Sequence, residues 1–313
     1  MLENCRPTPI GVLSDPLNER GPVPDEVGFV EVGLVGHPVS HSRSPAMHSA
    51  AFTTAGIVGR YRAFDVELDG LPAFIERARR ELHGFNVTVP HKVAVFGALD
   101  EVDALAGTIG AVNTVRVSKG RLHGTNTDAP GFIASLVRAG VDAAGSDVLV
   151  LGAGGAARAA IVGLLNAGAR RIGVLARRSG AADALVRDLT SRDTPAVGER
   201  RLVGWSTPVE PGFSPDLIVN ASSAGMGVYA GTADYDRVAK DFSALPWDRV
   251  RFASDLVYVP DATAFLAAAS AAGVRGENGL TMLAAQGALA FEAWTAVPAE
   301  RVVDAMRATL APG

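Results

Sequence analysis

The chain has 313 residues, is 48% hydrophobic and 20% charged, and carries a formal net charge of −4. That length can bury two domains' worth of core, and the composition is that of an ordinary soluble protein. It offers no basic block for nucleic acid and no polybasic segment for an anionic membrane, and no apolar run reaches the ~20 residues a spanning helix needs.

The first 28 residues hold five prolines and no long apolar segment, so they read as a flexible extension or a misplaced start and not as a signal peptide. The lone cysteine, Cys5, excludes an internal disulfide and fits a reducing cytosol. "FVEVGLVG" (29–36) is β-like, and "SPAMHSAAFTTAG" (44–56) carries a helix start and stop: Ser44 can cap, Pro45 suits the first turn, and Gly56 suits the end. "RYRAFDV" reads as a strand. Leu71, Phe74, Ile75, Ala78 and Leu82 then follow helical spacing, and "GFNVTVP" is the next strand, with Asn86 and Thr88 on one side and valines on the other. This βαβαβ rhythm predicts an open α/β domain. "AVNTVRVSKGRLHGTNTD" predicts a hairpin turning at Ser118-Lys119-Gly120. A second α/β run opens near residue 147 with "DVLVL", a Gly-rich turn and a helix ending at Gly168. Strands follow at "RIGVLA", "RLVGW", "DLIVN" and "RFASDLVY", and "GLTMLAAQGALAFEAW" and "PAERVVDAMRATL" close the chain as helices.

Gly152-x-Gly154-x-x-Ala157 directly follows a strand and opens a helix, the context a dinucleotide fingerprint requires. Its glycines permit a tight turn and close backbone approach, and the helix N-terminus faces the pyrophosphate. A NAD site usually ends the next strand with an acid for the ribose 2′-hydroxyl. Here that strand ends Ala176-Arg177-Arg178-Ser179, so an acid is missing and two guanidiniums suit a 2′-phosphate, unless they are only a solvated basic turn. "NASSAGMG" (220–227), with Ser222, lies at the carboxyl end of a strand, where its small residues admit a close cofactor or make a plain loop.

In "HPVSHSRSPAMH", Ser42 and Ser44 stand just before a helix, and two hydroxyls beside a positive dipole end suit a carboxylate. Capping alone would explain Ser44 and leave Ser42 idle. His37, His41 and His48 lack a Cys or acid cluster to complete a metal site, so no metal is expected. Asn86, Thr88, Asn113 and Asp128 sit at the ends of apolar strands. Singly, Asn113 suits a turn and Asp128 a helix cap; together they could hold a polyhydroxylated ligand. Only three of the 29 Lys and Arg residues are lysine, and one of them, Lys92, closes "NVTVPHK". Lysine there is either chance or a cation that must release a proton.

These residues carry a resemblance. "HSRSP", "NVTVPHK", "GAVNT", "GTNTD", "GAGGAAR", "NASS", "DLVY" and "GLTMLAAQ" occur in the order found in shikimate dehydrogenases, and the likeness runs from about residue 31 to the C-terminus. The resemblance implies reversible, NADPH-dependent reduction of 3-dehydroshikimate to shikimate, a cytoplasmic step of aromatic amino acid biosynthesis. It implies a substrate domain of residues 29–127 and 279–313 around a Rossmann-type NADP domain of residues 128–278, in a monomer or homodimer. Position by position, Ser42 and Ser44 would take the substrate carboxylate with Tyr258 nearby. Asn86, Thr88, Asn113 and Gln286 would take ring hydroxyls or the carboxylate end, and Lys92 with Asp128 would be the catalytic pair. Gly152, Ala153, Gly154, Gly155, Ala156 and Ala157 would hold the pyrophosphate, and Arg177, between Ala176 and Arg178, the 2′-phosphate. Ser222, Gly279 and Met282 would complete the cofactor side. Met282 and Gln286 are four apart on one helix face, although a core Met and a surface Gln would space alike. The sequence departs from the family where its usual Asn-Arg-Thr is Ala176-Arg177-Arg178. Alternatives are a quinate/shikimate dehydrogenase of the often NAD-linked catabolic type, which the missing acid and the Ser-x-Ser pair disfavour, an aminoshikimate dehydrogenase, and a non-catalytic NADP-binding sensor.

Overall fold

The computed structural model describes residues 28–192, 201–205, 212–226 and 240–310. The N-terminal extension and Gly227 of the "NASSAGMG" segment lie outside them. The first half runs β1 (Val30–Gly36), α1 (Ser44–Ala55), β2 (Gly59–Asp65), α2 (Leu71–Glu81), β3 (Gly84–Val87), β4 (Glu101–Val102), α3 (Ala104–Ile109), β5 (Thr114–Ser118), β6 (Arg121–Thr125) and α4 (Asp128–Arg138). Its six strands form one sheet in the order β2-β1-β3-β5-β6-β4. β1 is parallel to β2 and β3, and β5 is antiparallel to β3 and β6. The β5–β6 hairpin turns where expected: Lys119 and Gly120 both take positive φ (50° and 73°), the mirror-image turn whose twist matches its strands.

The second half runs β7 (Asp147–Leu151), α5 (Gly155–Asn166), β8 (Arg171–Leu175), α6 (Ala181–Ser191), β9 (Arg201–Trp205), β10 (Leu217–Asn220), β11 (Phe252–Asp255), α7 (Ala264–Ala271) and β12 (Gly276–Glu277). All six strands are parallel, in the order β12-β11-β10-β7-β8-β9. Renumbered within the domain this is 3-2-1-4-5-6 read from β9, the doubly wound order whose direction reverses between β7 and β10. Buried on both faces, β7 from Val148 and β10 up to Val219 are apolar, the pattern typical of parallel strands.

The chain then returns through α8 (Leu280–Thr295) and α9 (Val303–Ala308). Both pack with α1 over β1: Phe52, Phe291, Trp294, Val302 and Met306 share one core with Val30 and Val32. The opposite face of that sheet is covered by α2 through Leu71, Phe74 and Ile75. Between the sheets, α4 is notched on two sides: Gly131 sits against Gln286 of α8, and Gly163 of α5 sits against Ile133. A second junction is ionic. Asp188 of α6 holds Arg158 and Arg192, which donate to the carbonyls of Ile109 and Gly107 at the end of α3 at 3.1 Å each.

Candidate active site

The cleft between the two sheets is built from strand ends. β3 stops at Val87, three residues earlier than the "NVTVP" pattern predicts. Val89 faces outward at 61% exposure, so the alternation breaks after Val87. The backbone turns there through a hydrogen bond from the His91 N–H to Thr88 O, next to the cis Val89–Pro90 bond. The turn delivers Lys92 into the cleft, where its Nζ donates to Asp128 Oδ2 at 2.5 Å. Their side chains are 15% and 6% exposed, a largely desolvated pair. Asp128 is held by more than the lysine. Asn113 Nδ2 donates to its Oδ1 at 2.9 Å and also reaches Thr127 Oγ1 and Gln286 Oε1. Asn86 extends the network: its Nδ2 donates to Asn113 O and Thr114 Oγ1, and its Oδ1 accepts from Tyr61 OH at 2.8 Å. Gln286 is buried, which removes the reading of it as a surface residue, and Met282 lies in the core shared by α4 and α5.

Two expected caps are reassigned. Asp128 is the first residue of α4, and its side chain caps nothing; Asn126 Oδ1 accepts from the N–H groups of Asp128 and Ala129. That frees the Asp128 carboxylate for Lys92. At α1 the helix begins on Ser44 itself, and it is Ser42 Oγ that accepts from the Ser44 N–H at 3.2 Å. Ser42 is therefore not idle. Burial raises the Tyr258 pKa, and the charge of Arg43, which lies between Ser42 and Ser44 in the chain, opposes it. The three histidines diverge. His37 pairs with Asp65, His41 is exposed, and His48 stacks on Tyr61 with centroids 4.2 Å apart. Burial alone pushes the His48 imidazole down to about 3, so a neutral ring makes that stack. Among the described residues no group of three or more His, Cys, Asp or Glu could hold a metal.

On the other wall, Leu151 and Asn220 are in register, so the loops after β7 and β10 leave the sheet side by side. Gly152 has φ 114°, and a Cβ there would come within 2.9 Å of Ala221 O; the turn needs glycine on both counts. Gly154 caps α5 with extended backbone and no side-chain acceptor, leaving the first N–H groups of the helix open to an anion. Beyond β8, Ala176 is buried while Arg177 and Arg178 are exposed, and neither guanidinium has a hydrogen-bond or ion-pair partner among the described residues. Open helix N–H groups after β7, with two guanidiniums after the adjacent β8 that are unpartnered among the described residues, fit a dinucleotide bearing an extra phosphate. Gly279 caps α8 tightly against Leu256 O, where a Cβ would meet that oxygen at 2.4 Å.

The β10 loop is anchored by a buried carboxylate that the sequence reading passed over. Asp255 accepts from Asn220 Nδ2 (2.9 Å), Val257 N–H (3.0 Å) and Thr263 Oγ1 (2.5 Å), while Asn220 Oδ1 accepts from Ser222 Oγ at 2.7 Å. Burial pushes the Asp255 carboxyl up to about 6, against the opposing hydrogen bonds from Thr263, Val257 and Asn220. An acid whose folded pKa exceeds its unfolded 3.8 lets the folded state keep a proton the unfolded chain has released. Stability from this group therefore falls as pH rises from about 4 to about 6, by on the order of 3 kcal/mol. Asp255→Asn, which cannot ionise, is expected to gain on the unsubstituted protein across that window. Urea melts of both proteins at pH 4.5 and 7.5 test this, and a pH-independent difference would refute it.

Tyr61, Asn126, Thr127 and Asp255 join these residues without a sequence signal of their own. Asn126 and Thr127 stand inside the "GTNTD" motif beside Asp128, whereas Tyr61 sits in a strand with no local mark.

A family model described as the shikimate dehydrogenase substrate binding domain matches residues 34–115, and one described as the shikimate 5'-dehydrogenase C-terminal domain matches residues 279–311. The shikimate dehydrogenase (NADP(+)) of Citrifermentans bemidjiense is 42% identical over 286 residues, covering 87% of this chain and 92% of that protein. The crystal structure of shikimate 5-dehydrogenase from Thermus thermophilus in complex with NADP(H) and shikimate superposes with a TM-score of 0.73 at 38% identity, over 90% of this chain and 99% of that one. The ligand-free 5-ketofructose reductase of Gluconobacter sp. strain CHM43 superposes at 0.71 with 32% identity, over 90% of this chain and 98% of that one.

Proposed function

The chain belongs to the shikimate dehydrogenase family, and from that premise we propose that it reduces 3-dehydroshikimate to shikimate, reversibly, with NADPH. The observation that carries this reading is the Lys92–Asp128 pair at 2.5 Å, buried in the cleft between the substrate-side strand ends and the dinucleotide turn. Bound NADPH supplies the hydride to the ring ketone. As the ketone oxygen gains negative charge, Lys92 stabilises it and donates the proton, and in reverse its amine takes the proton back. Asp128, fixed by Asn113 and freed from capping by Asn126, holds the ammonium in place and accepts from a substrate hydroxyl. Ser42, Ser44 and Tyr258 take the carboxylate at the positive end of α1; Asn86, Thr88, Asn113 and Gln286 read the hydroxyls. Gly152 to Ala157, Ser222, Gly279 and Met282 line the cofactor, and Ala176, Arg177 and Arg178 form the turn that meets the 2′-phosphate. In this assignment residues 29–127 and 279–313 form the substrate domain and residues 128–278 the NADP domain, with α4 packed between them. The net charge of −4 argues against nucleic acid as a partner, and no described helix is long and apolar enough to cross a membrane. A monomer or homodimer in the cytoplasm, consistent with a single cysteine, completes the proposal.

Purified protein assayed with shikimate and with quinate, each against NADP⁺ and NAD⁺, tests the reading. Turnover is expected chiefly with shikimate and NADP⁺; activity confined to quinate and NAD⁺, or silence in all four, would overturn it. Within that assay Arg177→Ser should raise KM for NADP⁺ by about 10- to 100-fold, the loss of a charge-assisted contact of about 1.5–3 kcal/mol. KM for NAD⁺, which lacks the phosphate, should move by less than about threefold on the same reasoning.

A further inference from the structure

We propose that Gly155 is a positioning residue for Lys92: its missing side chain is the slot in which the lysine's aliphatic stem lies. The inference rests on Lys92 being the proton donor. The dinucleotide fingerprint accounts for positions 152, 154 and 157 and leaves 155 free. Backbone conformation gives no reason for glycine there either. Gly155 is the first residue of α5 and has no positive φ, so an L side chain there meets no backbone strain. The reason lies across the cleft. A Cβ built on Gly155 would stand 2.9 Å from Lys92 Cβ, 3.2 Å from its Cδ and 3.6 Å from its Cγ, and these are the three nearest atoms. At neighbouring Gly154 an added Cβ would meet nothing within 4 Å.

Lys92 cannot give way cheaply. Its carbonyl accepts from the Val112 N–H at 2.8 Å, which fixes its backbone, and its Nζ is tied to Asp128. A methyl on Gly155 must therefore push the ammonium off its position or wedge the two sheets apart. The turn expected to cradle the cofactor pyrophosphate is thus also the surface that sets where the proton donor stands. One glycine serves both sides of the cleft.

The test uses the full chain with Gly155→Ala, Lys92→Gly (which removes both Cβ and stem) and the double variant. Gly155 meets the cofactor through its backbone N–H, which alanine keeps, so Gly155→Ala is expected to lower kcat at least tenfold while the dissociation constant of NADP⁺, titrated directly, rises by much less. Its melting temperature should fall further in the parent protein than in the Lys92→Gly background, because the three atoms nearest the added methyl all belong to the lysine. Unchanged kcat in Gly155→Ala beside an inactive Lys92→Gly would overturn the proposal. So would a parallel loss of NADP⁺ affinity and kcat, which assigns the glycine to the cofactor alone. Full turnover in Lys92→Gly would remove the role of Lys92 itself and the proposal with it, a failure recognisable by the variant that shows it.

Discussion

Lys92→Arg should lose about 10²- to 10⁴-fold in kcat, the usual contribution of general acid–base catalysis, while KM for shikimate moves by less than about threefold. The substitution keeps the positive charge, and Asp128 can still pair with it, bidentately if the fork reaches. What it removes is a transferable proton, since a guanidinium does not deprotonate in a protein. Charge stabilisation of the developing alkoxide survives in part, so the residual rate measures how much of the acceleration is electrostatic. Steady-state kinetics in both directions check this. A variant with near-wild-type kcat would mean that charge suffices at this position and that the proton comes from elsewhere. The scarcity of lysine in an Arg-rich chain then has a chemical reason at this one place.

The elements were legible where their signals are local. "DVLVL" followed by Gly-x-Gly carries strand, turn and helix start within a dozen residues, and β7 and α5 form there. Site roles were less legible because capping and catalysis use the same residue types. Asp128 and Ser44 both looked like caps, and both are released by a neighbour two positions earlier, Asn126 and Ser42. Which of two adjacent polar residues bonds the helix backbone depends on side-chain torsions that composition does not encode. Tyr61, and the contact of Gly155 with Lys92, were illegible for another reason. Each matters through a partner far away in sequence, Asn86 and Lys92 respectively, and only the packed cleft brings those pairs together. The end of β3 was overrun because Val89 continues the alternation while facing solvent.

The return of the C-terminal helices to the first sheet is the long-range feature on which the site most depends, and Trp294 is its anchor. Trp294→Ala should destabilise the protein by about 3–5 kcal/mol, the range for truncating a buried aromatic ring. The side chain is 1% exposed, and its Nε1 donates to Val115 O in β5 at 3.0 Å. The ring lies over Gly84, where a Cβ would meet Cδ1 at 2.3 Å, so α8 is seated on the first residue of β3. Loss of the ring leaves a cavity beside His48 and Tyr61 and removes the indole N–H bond that ties α8 to the Val115 carbonyl of β5. Trp294→Phe, which keeps most of the volume and loses the N–H, should cost roughly half as much or less, on the ~1–3 kcal/mol scale of one unmade buried hydrogen bond. Urea melts followed by far-UV circular dichroism give both values, and an alanine variant within about 1 kcal/mol of the parent would sink the argument, since that is the median cost of an arbitrary substitution. The consequence reaches catalysis. α8 carries Gln286 to Asn113, and β3 carries Asn86, so loosening their contact at Trp294 loosens the frame around Asp128. Near its melting transition the alanine variant should therefore lose kcat/KM at temperatures where its helical signal is still intact, because the hydrogen-bonded site needs tighter registration than the helices do.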